Sequence, residues 1–240
     1  MQHFTNLKAA ILGLSIGLGI LIAGVSISGA LYKTRLADRY VSVRGLAEKE
    51  VAADLAIWPI TYKDAGNDLL ELQKLVDRNR ETISSFLIEK GFKPEDISHS
   101  SPMITDAWAE NYYGNQASRG PRYLIQKTVT VRSAELQRVK QTMEKSGELV
   151  AKGIVLSQNW ENRTEFLFTN LNAIKPEMIR EATVNAREAA EKFAEDSASK
   201  IGKIRTASQG LFSISDRDAN SPDLKIVRVV TNLEYYLVDN

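Results

Sequence analysis

Between Ala9 and Tyr32 the chain runs for 24 residues without a charged side chain. At 1.5 Å rise per residue a helix of that length reaches about 36 Å, and the hydrocarbon core of a bilayer is about 30 Å thick. The segment therefore divides the chain into a tail (1–8), an apolar transmembrane anchor or signal peptide (9–32), a linker (33–39) and a body (40–240). Two fates for the segment stand open. As an uncleaved anchor it holds the body at a membrane in a single pass. As a signal peptide it is cleaved near Ala30, where Ser28-Gly29-Ala30 offers the small residues a peptidase needs, and the body becomes soluble. A signal h-region usually spans about 7–15 residues, which favours the anchor. Lipid attachment at a cysteine is excluded, because the chain has none.

Charge does not fix the topology. Lys8 precedes the segment, and Lys33, Arg35, Arg39 and Arg44 follow it. The positive-inside rule would keep the body in the cytoplasm, yet long domains translocate largely regardless of flanking charge. Gly13, Gly17, Gly24 and Ser28 fall on one stripe of the helix. Small residues at such spacing let helix backbones approach closely, so the stripe is a candidate helix–helix contact.

The chain carries 31 Lys and Arg against 30 Asp and Glu, and the one surplus cation is Lys8, so linker and body together, residues 33–240, are neutral overall. A neutral body argues against nucleic-acid binding, which draws on a net basic face. The absence of cysteine removes disulfides, thiol catalysis, iron–sulfur clusters and cysteine zinc sites. His3 and His99 are the two histidines. A metal site rich in histidine is thus out of reach, and a Ser-His-Asp triad would depend on His99. His99 sits in the polar stretch Ser98-His99-Ser100-Ser101 and reads as a surface residue. No P-loop motif occurs, and Gly17-x-Gly19 lies inside the apolar segment, where a dinucleotide-binding turn cannot form. No catalytic, cofactor-binding or metal residue is assigned, and no cofactor is expected.

Carboxylates are plentiful. Glu48, Glu50, Asp54, Asp106 and Glu110 lie on or near expected strands and read as solvated strand ends, with an acid–base pair as the alternative. Trp108, Tyr112, Tyr113 and Tyr123 surround a turn-rich loop; they either pack a hairpin base or anchor a partner.

Periodicity predicts a hairpin of strands 40–47 and 54–62 turning at Glu48-Lys49-Glu50, with Pro59 placing the second strand at an edge or bulge. Asn67 or Asp68 caps a helix to Lys90, which Gly91 ends. Extended chain over 98–110, a loop over 111–121 and a strand over 123–132 form a long hairpin. A helix over 134–152 and a strand over 153–168 follow. The strongest element is a helix over 176–201, ended by Gly202. Its stripe includes Ala182, Ala186, Ala190, Phe193 and Ile201, which implies close packing on a sheet. Strands over 204–215 and 225–238 complete the chain. The expected fold class is α+β: a largely antiparallel sheet of about seven strands, with three long helices packed on one face, preceded by one N-terminal transmembrane helix.

Three stretches resemble the SIMPL-domain family of bacterial envelope proteins. They are Val41-Ser42-Val43-Arg44-Gly45 through Asp54-Leu55-Ala56; Gly91-Phe92-Lys93-Pro94-Glu95-Asp96-Ile97 with Tyr123 to Val131; and Ala186-Arg187 to Gly202 with Val229 to Tyr235. Together they span about residues 40–238. Ala53 departs from the proline common before the aspartate, and Leu46-Ala47 from a frequent second glycine.

The resemblance implies export, with the body in the periplasm, either on an inner-membrane anchor or free after cleavage near Ala30. It carries over no catalytic set. It implies structural roles for Gly45 in a turn, Asp54 in bonding a nearby backbone N–H, and Ala186, Ala190, Phe193 and Gly202 in the packing stripe. It also implies a homo-oligomer, an envelope protein partner and a part in envelope stress tolerance, while the charge balance speaks for no nucleic acid. The expected function is that of a non-enzymatic, membrane-anchored periplasmic protein acting through self-association or partner binding. The alternatives are a carboxylate-based hydrolase of an envelope polymer and a periplasmic binder of a small ligand or peptide.

Overall fold

The computed structural model describes residues 13–29, 39–110, 120–157 and 162–239. In chain order the elements are α1 (residues 13–29), β1 (Tyr40–Ala52), β2 (Leu55–Gly66), α2 (Leu69–Glu89), a 3-10 turn (Pro94–Asp96), β3 (Ile97–His99), β4 (Met103–Asp106), α3 (Ala107–Glu110), β5 (Tyr123–Ser133), α4 (Leu136–Glu144), α5 (Gly147–Ala151), β6 (Glu165–Leu167), α6 (Leu171–Asp196), β7 (Ser199–Gln209), β8 (Ser213–Asp216) and β9 (Leu224–Asp239). The fold class is α+β with antiparallel pairing, as expected. The sheet count is not: the described residues hold nine strands in two sheets. The chain forms two compact units. One takes residues up to Glu48, Lys175–Ser213 and Arg228 onward; the other takes Lys49–Ile174 and Ile214–Val227.

The second unit is built on β2 and β5, paired antiparallel from Ala56↔Ser133 to Gly66↔Tyr123. β3 and β4 pair with β5, and β6 pairs with β2 over Leu55–Ile57 alone. The two-residue period of a strand puts Ala56, Trp58, Ile60 and Tyr62 on one buried face, with Ile125, Val129 and Val131 beside them. β2 is therefore interior, not an edge strand. Pro59 lies beyond the short β6, so its missing N–H leaves no ladder bond unmade there. α2 covers this face. The Asp68 carboxylate accepts from Leu70 N and Glu71 N at 2.8 and 3.0 Å, and Leu72, Val76, Ile83, Phe86 and Leu87 point inward. Gly91, at φ +91°, takes the left-handed turn that ends the helix.

The first unit pairs α6 with a sheet whose strand order is β1-β9-β7, β8 also pairing with β9. α6 buries Met178, Ala182, Ala186, Ala190 and Ala194, every fourth residue. Of these, Ala186 and Ala190 share a core cluster with Val41, Leu233 and Tyr235.

Several expected boundaries shift. β1 does not turn at Glu48-Lys49-Glu50. Its alternation runs on to Ala52, with Glu48 and Glu50 outward, and it pairs with β9 rather than β2. The expected first hairpin is thus absent, because three charged residues that read as a turn also fit one solvated strand face. The helix over 134–152 is two, broken between Glu144 and Gly147. Among the described residues, the strand expected over 153–168 is seen as β6 and a bridge at Leu156. Among the described residues only α2 and α6 are long helices after α1, and they cover different sheets, so three long helices on one face is corrected. α6 starts at Leu171 and stops at Asp196. Ala198 at φ 53° reverses the chain, and residues 199–202 belong to β7.

α1 is exposed over all 17 of its described residues. Among the described residues no helix is long and apolar enough to cross a membrane. Residues 9–12 and 30–32 of the expected span, the Ala30 cleavage point included, lie outside the described residues.

Candidate functional site

Gly45 lies inside β1, so the turn expected there does not exist. Its role is contact: a Cβ at this position would stand 1.8 Å from Ala182 O and 2.5 Å from Ala186 N. The α6 backbone rests directly on the strand at the one residue without a side chain. Asn185 Nδ2 donates to Leu46 O at 2.7 Å and ties helix to strand beside that point. Ala186 and Ala190 are fully buried here. Phe193 is not part of this packing; it is 57% exposed, because the buried stripe passes through Ala190 and Ala194 instead. Gly202 does not end a helix. It lies in β7, where a Cβ would come within 3.2 Å of Tyr236 O. Gly13, Gly17 and Gly24 of α1 have nothing within 4 Å of a Cβ, and Ser28 is exposed.

Asp54 bonds backbone N–H groups more than a hundred residues away. Its carboxylate accepts from Thr169 N at 2.8 Å and Asn170 N at 2.9 Å. Asp54 N also donates to Leu167 O at 2.8 Å. One aspartate therefore fixes the end of β6. Ala53 uses the N–H that a proline would lack, donating to Asp223 O at 2.8 Å.

Beside β6 lies a cleft of about 640 Å³, within the range of roughly 300–1,000 Å³ typical of ligand sites. One wall is Arg163–Leu167. The other is the segment from Asp216 to Lys225 that joins β8 to β9. That segment is held from several sides. Lys225, its side chain 9% exposed, is paired with Asp216. Lys140 is bonded to Asp223, which keeps the Asp223 carboxyl below its ordinary range. Arg217 reaches Asp218 at 2.9 Å, Ser221 at 2.8 Å and Glu50 at 3.2 Å, and its own N–H donates to Leu224 O.

The remaining carboxylates singled out in sequence have partners of their own where they are described. Glu48 pairs with Arg228 at 3.4 Å. Asp106 takes Arg122 through both oxygens and also accepts from Trp108 N and Ala109 N, so its carboxyl is held low, chiefly by the guanidinium. The side chain of Glu110 lies outside the described residues, as do Tyr112 and Tyr113. Asp77, bonded to Gln73 and Lys127, is also held low, as are Glu148 and Asp218. Every described carboxylate with a shifted pKa is shifted downward, the opposite of what a general acid requires. His99 lies exposed on β3, and burial, then the Arg80 and Lys127 charges, lower its pKa. Arg122 stacks between Trp108 and Tyr123, 5.7 and 4.8 Å from the ring centres, and Trp108 stays half exposed. Among the described residues no cluster of three or more His, Cys, Asp or Glu has the arrangement of a metal site.

Sequence reading missed Arg163, Glu165, Asp216 and Lys225 as neighbours, since β6 and β9 are joined only through tertiary structure. One signal was present. Lys225 falls on the same alternate positions as Val227, Val229 and Thr231, all buried, which marks it as a lysine needing a partner.

No curated protein matches the chain. The family model described as SIMPL, protein of unknown function (DUF541), matches residues 41–227. That range takes in β1 with Gly45, the Asp54 anchor, the α6 stripe and the β6 cleft, and the chain accordingly belongs to the SIMPL family.

Proposed function

We propose that this chain is a membrane-tethered envelope protein that works by assembly with further copies of itself, with its body in the periplasm, and that it has no enzymatic role. The observation that carries the reading is the sheet of β1, β9, β7 and β8. Its terminal strands β1 and β7 each have one long edge that no strand pairs with among the described residues. Open edges are templates for pairing with another chain. β7 is exposed from Lys203 to Gln209. It carries Lys200, Lys203 and Arg205 and no acid, so pairing β7 with a second β7 sets cations against cations. β1 carries Arg44, Glu48 and Glu50 on its outward face, so a β7-to-β1 contact brings the cations of β7 to a strand that also carries two acids. Such a contact is head-to-tail, and it builds a ring when the rotation closes.

The uncharged 9–32 segment supports tethering, and the small-residue stripe of α1 offers a second contact within the membrane. A part in envelope stress tolerance belongs to the same reading. Light scattering of the full chain in detergent tests assembly: oligomers are expected, and K203E/R205E is expected to dissociate them. A wild-type monomer overturns the reading. A C-terminal reporter fusion active only in the periplasm supports the placement; activity only in the cytoplasm refutes it.

A further inference from the structure

We infer that the cleft beside β6 binds a short extended peptide of mixed charge, laid down as an added strand on the edge of β6 that no strand pairs with among the described residues. The inference does not depend on the assembly proposed above. Its first ground is the lining. A cleft over one face of a strand touches alternate residues, because side chains point to opposite faces with a period of two. All three consecutive residues of β6, Glu165–Leu167, line this cleft, so it runs along the strand's edge, and Arg163 and Thr164 extend the lining ahead of the strand. The other edge of β6 is taken by β2. What faces the cleft is therefore main chain, and an extended peptide is the ligand that main-chain N–H and C=O groups recognise.

The second ground is rigidity. The Asp54 carboxylate fixes the end of β6, and the opposite wall is held by Asp216–Lys225, Lys140–Asp223 and the Arg217 network. A preorganised slot loses less freedom on binding than a mobile one. The third ground is charge. Phe166 points into the core, so Glu165 and Leu167 point away from it, and Arg163, two residues ahead of the strand, also lines the cleft. All pairing in this sheet is antiparallel. A peptide added the same way sets an apolar residue opposite Leu167 and a cation opposite Glu165, and its next outward residue runs on toward Arg163, where an anion suits the guanidinium.

The probe is fluorescein-labelled Val-Thr-Lys-Thr-Glu-amide, titrated into the full chain in detergent and read by fluorescence anisotropy. Two control peptides carry the same composition: one with the three inner main-chain nitrogens methylated, one with Lys and Glu exchanged. The expected result is saturable binding, lost at least about tenfold on methylation, as removal of main-chain bonds requires, and about fivefold on exchange of the charges. Glu165→Lys, and Glu165→Gln as a milder second variant, are expected to weaken the probe several-fold at an unchanged unfolding midpoint, since Glu165 is exposed. Absence of binding up to about 1 mM, equal affinity for the methylated peptide, or indifference to both Glu165 variants overturns the inference.

Discussion

The two units of this chain reach stable packing by opposite means. The unit built on β2 and β5 buries bulk: Tyr62, Ile83, Phe86, Leu87 and Ile125 are all fully inaccessible. The unit built on α6 buries fewer large side chains, among them Met178, Leu233 and Tyr235. Its helix contributes mainly alanines, and the strand beneath contributes Gly45, so backbone meets backbone. In the first arrangement stability comes from apolar area removed from water. In the second it comes from close fit, and even one added methyl has nowhere to go. Large-core packing should therefore fail on truncation and small-residue packing on enlargement.

The largest expected effect is Phe86→Ala, which deletes a fully buried ring and should cost about 4 kcal/mol in denaturant unfolding. A cost below about 1 kcal/mol would show that the core collapses around the gap. Next, Gly45→Ala adds a single methyl that would stand 1.8 Å from Ala182 O. It should destabilise by about 3 kcal/mol, close to what removal of a whole ring costs in the other unit. A tolerated alanine would break the comparison, because it would mean that α6 is not seated on β1. Asp54→Ala should cost about 1–2 kcal/mol by leaving the Thr169 and Asn170 N–H groups without their acceptor. Asp54→Asn should recover part of that.

A smaller effect of opposite sign tests the end of α6. Ala198 sits at φ 53°, a conformation that disfavours a side chain, so Ala198→Gly should raise stability by about 0.5–1 kcal/mol. The smallest effect is one of pH. Lys140 keeps the Asp223 carboxyl below its ordinary value of about 3.9, so the folded state favours the charged form. That stability is present above about pH 4 and is lost as pH falls through the folded value. Lys140→Met should flatten this acid limb, as followed by thermal unfolding between about pH 5 and pH 2.

Much of the bulky unit was legible in the sequence. Asp68, the run of Leu72, Val76, Ile83, Phe86 and Leu87, and Gly91 state cap, face and stop within one segment, and α2 follows them closely. β5 follows its alternation equally well. The small-residue unit was half legible. The alanine stripe announced close packing, but the helix boundary slid by five residues at each end. Ile201 and Gly202 continue a helical pattern that Ala198 has already broken.

The β6 cleft was not legible. Its charged residues come from segments some fifty residues apart in sequence, and no local period links them. β1 carried a signal that pointed the wrong way. Glu48-Lys49-Glu50 reads as a turn when only neighbours are considered, although the outward-inward alternation passes through it unbroken.

By itself the sequence determined the α+β class, the uncharged leading segment, the caps of α2, the alanine face of α6 and the family to which the chain belongs. Those are properties of local spacing and of residue chemistry. Only the tertiary structure decided that β1 pairs with β9 and not with β2, that Gly45 is a seat for a helix, and that Asp54 holds β6 from across the chain. Strand pairing and close backbone approach join residues far apart in sequence, and a strand's alternation records which face is buried but not which neighbour buries it.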